Sequence, residues 1–108
     1  METIKLNLIP TRVAPTAHVS QNDEGRVIRL ELYDGPLKYT LSGSENIRLR
    51  IRKIDGNVAN EPVVNTAESY VDIVTTHDMT DTAGRLFCKL RIGGIGTKAF
   101  YIDVEKKP

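Results

Sequence analysis

The sequence predicts an all-β fold: an immunoglobulin-like β-sandwich of seven or eight short strands with one short helical turn. Three observations lead there. Apolar and polar residues alternate with a period of two in segment after segment, the mark of strands with one face buried. Turn signals recur at intervals of roughly 8–12 residues, the spacing expected of a sandwich of ~100 residues. No segment keeps a helical period. With 108 residues in all, residues 1–105 make one such domain, large enough for a single core.

Taken in order, Thr3–Ile9 places Ile4, Leu6 and Leu8 on one face and Thr3, Lys5 and Asn7 on the other. Pro10 and Pro15 break the run, so the strand kinks or changes sheet there, and Thr16–Ser20 resumes it. Gln21-Asn22-Asp23-Glu24-Gly25 is a turn by composition. Arg26–Tyr33 alternates again, and Asp34-Gly35-Pro36 ends it. Leu37–Gly43 stays unassigned. Glu45–Lys53 is the cleanest strand, with Ile47, Leu49 and Ile51 opposed to Arg48, Arg50 and Arg52. Asp55-Gly56-Asn57 signals a hairpin turn. Val58–Thr66, interrupted by Pro62, reads as an edge strand, and the β-branched run Ser69–Thr75 as another strand. Thr76 or Asp78 caps a single helical turn that Gly84 ends. Arg85–Ile92 and Ala99–Glu105 are strands joined through Gly93-Gly94-Ile95-Gly96, and Lys106-Lys107-Pro108 is a tail.

Composition narrows the function classes. The net charge of +1 argues against duplex DNA or an acidic membrane as partner. Cys88 is the single cysteine, so no intrachain disulfide forms and no oxidising compartment is required. The N-terminal stretch lacks a signal-peptide pattern, and no apolar run approaches the ~20 residues of a membrane span. The expectation is a soluble domain made in a cytoplasm.

No catalytic, cofactor or metal site is expected. His18 and His77 do not stand in a ligand spacing, and His77-Asp78 reads as a capping pair. Cys88 points inward as a small hydrophobe. Asp23-Glu24 lacks the ligand periodicity of a calcium loop. Gly93, Gly94 and Gly96 lack the lysine–hydroxyl pair and following helix of a phosphate loop and read as hairpin glycines with positive φ. The candidate functional residues are Arg48, Arg50 and Arg52, which share one strand face; arginine is enriched at protein interfaces. Nucleic acid is not the expected partner, because Tyr33, Tyr39, Tyr70 and Tyr101 are scattered over different elements rather than gathered as a stacking platform.

Several blocks, in order and spacing over about eighty residues, carry a family likeness. Gln21-Asn22-Asp23-Glu24-Gly25-Arg26 stands where the family tends to read Q-G-D-x-G-R, with Asn22 in place of the glycine. Leu41-Ser42-Gly43 is like its L-T-G. Ile51-Arg52-Lys53-Ile54-Asp55-Gly56 is like its I-x-K-P-D-G, with Ile54 in place of the proline. Met79-Thr80, Ala83-Gly84 and Phe87-Cys88-Lys89-Leu90 follow, then the closing strand to Val104-Glu105. The chain resembles the N-terminal domain of the phage upper-baseplate protein family (BppU-type), also met at the base of phage fibre proteins. The resemblance implies a structural virion protein, assembled in the bacterial cytoplasm. Its N-terminal domain docks a receptor-binding or fibre assembly onto other phage structural proteins. The full-length protein is implied to be a homo-trimer, with residues 106–108 opening a linker to a stalk. It implies no enzyme activity, no cofactor and no membrane. The competing expectations are the base domain of a phage head fibre and a carbohydrate-binding sandwich; an adhesin-like spacer is weaker, lacking a secretory signal, and an unrecognised enzyme weakest.

Overall fold

A computed structural model describes residues 2–9, 14–43, 45–54, 56–57, 63–94 and 96–106. In chain order the strands are β1 (Glu2–Asn7), β2 (Thr16–Ser20), β3 (Val27–Asp34), β4 (Leu37–Lys38), β5 (Ile47–Lys53), β6 (Gly56–Asn57), β7 (Val63–Ala67) and β8 (Tyr70–Val74); a single-turn helix α1 (His77–Thr80) then precedes β9 (Gly84–Ile92) and β10 (Gly96–Glu105). Among the described residues, eight of the ten strands have five or more residues, against the seven or eight expected from sequence; β4 and β6 are two-residue additions.

The strands form two sheets. One runs β1-β3-β8-β7, with β4 appended to β3; the other runs β2-β10-β9-β5-β6. From β3 onward this is the strand order of an immunoglobulin-type sandwich. The N-terminal segment is divided between the sheets. β1 lies parallel to β3 and β2 lies parallel to β10, so the chain changes sheet between Asn7 and Thr16; Pro10 lies outside the described residues, and Pro15 immediately precedes β2, where its lack of a ladder donor is tolerated.

The core is the sum of the inward faces. Ile4 and Leu6 (β1), Ile28, Leu30 and Leu32 (β3), and Val71 and Ile73 (β8) meet Ala17 and Val19 (β2), Leu86, Cys88, Leu90 and Ile92 (β9), and Phe100, Ile102 and Val104 (β10). Met79 of α1 plugs one end and is fully buried. Leu49, which the alternation places among the central core residues, is only half-buried and packs against the core from the margin; on its strand Ile51 alone is buried.

The turns correct the sequence reading in detail. Thr76 caps α1, accepting from the Met79 amide at 3.4 Å, but the helix ends at Asp81. Gly84 instead begins β9 with φ +142°. Gly56 and Asn57 are not turn residues: they pair with Lys53 and Arg52, so the strands already pair where the sequence places the turn; Asp55 lies outside the described residues, as do Val58–Pro62, Ile95, Lys107 and Pro108. The unassigned stretch 37–43 supplies β4, then a bend in which Ser42 Oγ donates to Glu45 at 2.8 Å. Gly94 has φ +82° and Gly96 +109°, but Gly93 is needed for space, since a Cβ there would lie 3.3 Å from the Asn46 amide nitrogen. Asn22 holds φ +67°, a left-handed conformation that asparagine tolerates better than most residues.

Candidate anion-binding face

Pairing between β5 and β9 builds the candidate site. The register sets Arg48 opposite Arg91 and Arg50 opposite Lys89. All four are exposed, and all lie on the outer side of the sheet because their inward neighbours Leu90 and Ile92 are buried. Like charges directly opposite across a ladder destabilise the pairing. No acidic side chain among the described residues forms an ion pair with any of the four. Together with Asn46, Gly93 and Thr97 they line an open groove of about 470 Å³. A second depression of about 310 Å³, bounded by Arg50, Ile51, Arg52, Phe87 and Lys89, adjoins it along the strands.

Arg52 is set apart from its two companions. It stands opposite Phe87, with its guanidinium carbon 5.3 Å from the ring centroid. Phe87 in turn meets Tyr101 edge-on at 5.8 Å, and Arg85 covers Tyr101 at 4.7 Å. These cation–π and edge-to-face contacts make a packed surface strip rather than open rings. Beyond it the charges are paired: Arg85 Nε donates to Asp103 at 2.8 Å, and His18 Nδ1 lies 3.3 Å from Glu105. The Arg85 hydrogen bond holds the Asp103 carboxyl below its usual range, outweighing burial.

The groove and the end of β10 lie at opposite poles. Thr97 borders the groove, and Glu105 stands eight residues farther along the same strand, roughly 25 Å away at the rise of an extended chain. The far pole is tied down by its own contacts. The Gln21 and Asn22 amides donate to the Glu105 and Thr80 carbonyls at 2.7 Å each. The Thr75 and Thr80 hydroxyls both donate to the Asp23 carbonyl, at 3.0 and 2.9 Å. Lys53 reaches Asp81 at 2.6 Å and Asp78 at 3.5 Å. Burial pushes Lys53 down, but the two carboxylates outweigh it and hold its pKa above the usual value.

The other residues weighed from sequence take structural places. His77 is the exposed first residue of α1, and His18 lies on the outer face of β2. Cys88 is buried, and burial pushes its thiol up to about 12, the environment of an inert cysteine. Among the described residues no three His, Cys, Asp or Glu side chains gather closely enough to hold a metal ion. The chemistry available on the basic face is therefore recognition of negative charge. Sequence reasoning found Arg48 and Arg50 but missed Lys89 and Arg91. Each was legible as outward-facing on its own strand, but no local signal joins β5 to β9. In comparison with known proteins, the chain matches no family model and no curated sequence.

Proposed function

We propose that this chain is a non-enzymatic attachment domain of a phage structural protein, of the upper-baseplate kind. It docks a receptor-binding or fibre assembly onto the virion through the outer face of β5 and β9. The observation that carries the reading is the like-charge ladder of Arg48, Arg50, Lys89 and Arg91, without an ion pair among the described residues and placed at the pole away from Glu105. Like charges set side by side weaken a sheet, and a surface that keeps them gains when a partner supplies the opposite charge. The geometry suits a connector: one pole meets the particle, and β10 ends at Glu105 at the other. A rigid sandwich needs no rearrangement to dock, and a contact of standard size buries about 800 Å² per partner.

The test is co-assembly. The protein carrying R48E, R50E and R91E together is produced in infected cells, and particles are purified by density-gradient sedimentation. Wild-type protein is expected in the particle fraction. The variant is expected to stay with free protein while keeping its circular dichroism spectrum. A variant that co-sediments as well as wild type overturns docking through this face.

A further inference from the structure

We infer that the basic groove takes an extended segment of a protein partner carrying Asp or Glu at alternate positions; this rests on the docking reading above and specifies its partner. The argument starts from spacing. Arg48 and Arg50 are two residues apart on β5, as are Lys89 and Arg91 on β9. Along a strand that places the cations ~6.7 Å apart, and neighbouring strands lie ~4.8 Å apart. The four charges thus stand at the corners of a small rectangle. An extended peptide repeats its same-side residues at the same ~6.7 Å, so alternate carboxylates fall in step with successive rungs. Each carboxylate then sits between cations from both strands, and arginine offers a planar two-pronged donor to it. A helix about 10 Å across is too broad to lie between two side-chain columns ~4.8 Å apart.

Three features favour a peptide over a nucleic-acid strand. The rings bordering the ladder, Phe87 and Tyr101, meet edge-on and are covered by Arg52 and Arg85, which leaves no open platform for base stacking. Beyond them the charges on the same sheet face are already paired, Arg85 with Asp103 and His18 with Glu105, so the track of cations open to a continuing phosphate chain stops there. Like-charged pairs occupy two successive rungs, Arg48–Arg91 and Arg50–Lys89, while the next rung sets Arg52 against Phe87; in a chain of net charge +1 this suits a short acidic stretch rather than a polyanion.

The experiment is fluorescence anisotropy of the intact chain at low salt with three labelled probes. One is a dodecapeptide of strictly alternating Glu and Thr, one has the same composition as a block of Glu followed by a block of Thr, and one is a dodecamer of deoxythymidine. The alternating peptide is expected to bind about tenfold more tightly than the blocked one, a difference of about 1.4 kcal/mol, and R91E is expected to erase the preference. Equal affinity for the two peptides overturns the inference, as does tighter binding of the oligonucleotide than of either peptide. These outcomes separate from those of the sedimentation test. Docking lost in the charge-reversed variant with no peptide preference leaves the docking reading standing and overturns the strand-like partner. A peptide preference with docking unaffected supports the acidic-strand site and overturns the docking reading.

Discussion

The two outer faces of the sandwich solve the same problem in opposite ways. On the β1-β3-β8-β7 sheet, charges of opposite sign face each other. Lys5 stands opposite Glu31 and Arg29 opposite Asp72, and Arg29 makes two hydrogen bonds to Asp72, at 2.8 and 2.9 Å, while lying 3.7 Å over the Tyr70 ring. On the β5–β9 pair two successive rungs are like-signed, and no acidic side chain among the described residues pairs with them. The second sheet also pairs charge farther along, Arg85 with Asp103, so the contrast is confined to the two rungs between β5 and β9. The difference teaches that the arrangement across strands, not the number of arginines, decides whether a sheet face balances its charge or leaves like charges side by side.

The largest way to break the comparison is to remove what both faces stand on. Phe100 points inward from β10 and is fully buried, so Phe100→Ala is expected to cost about 3–5 kcal/mol in urea unfolding. Leu49, half-buried on β5, should lose only roughly 1–2 kcal/mol on truncation to Ala, in keeping with partial burial. Equal losses at the two sites contradict this placement of the core.

Acid separates paired from unpaired charge. The Lys53 hydrogen bond holds the Asp81 carboxyl below its usual range, as Arg85 does for Asp103. A carboxyl depressed in the folded state adds stability above its unfolded pKa of about 3.9, and that stability is lost as pH falls through the folded value. The melting temperature should therefore stay level from neutral pH to about 5 and fall below about 4. D81N should flatten part of that fall.

The smallest effect is the most telling in sign. Arg91→Glu converts the rung with Arg48 into an opposite-charge pair, so thermal stability should rise by about 0.2–1 kcal/mol, the range for cross-strand pairs, while docking is lost. A loss of stability in that variant contradicts the view that the ladder is held against the fold's own interest.

Much of the fold was legible because its signal is local. The alternation of Ile28, Leu30 and Leu32, or of Phe100, Ile102 and Val104, needs no partner to be read, and all six are buried. The cap at Thr76 and the proline break before β2 are equally local. The β5–β6 turn was placed too late because Asp-Gly is a strong turn signal that ladder pairing of Gly56 with Lys53 overrode. The site was half legible for the same reason. Arg48, Arg50 and Arg52 lie on one strand, but their division into a ladder and an aromatic contact depends on β9, more than thirty residues away in sequence.

The position of β10 has a mechanical consequence. It is bonded on one side to antiparallel β9 over Gly96–Val104 and, in its second half, on the other side to parallel β2 over Tyr101–Glu105. If the basic face is held and tension is applied at Glu105, the load runs along the strand axis. Hydrogen bonds on both flanks are then stretched together in shear, and none can be opened singly from an end as in a zipper. A strand clamped in this way yields only when many bonds fail at once, so the sandwich is a stiff link under pull. The same domain peeled sideways from its β7 edge, where the single neighbour is β8, would open bond by bond at far lower force.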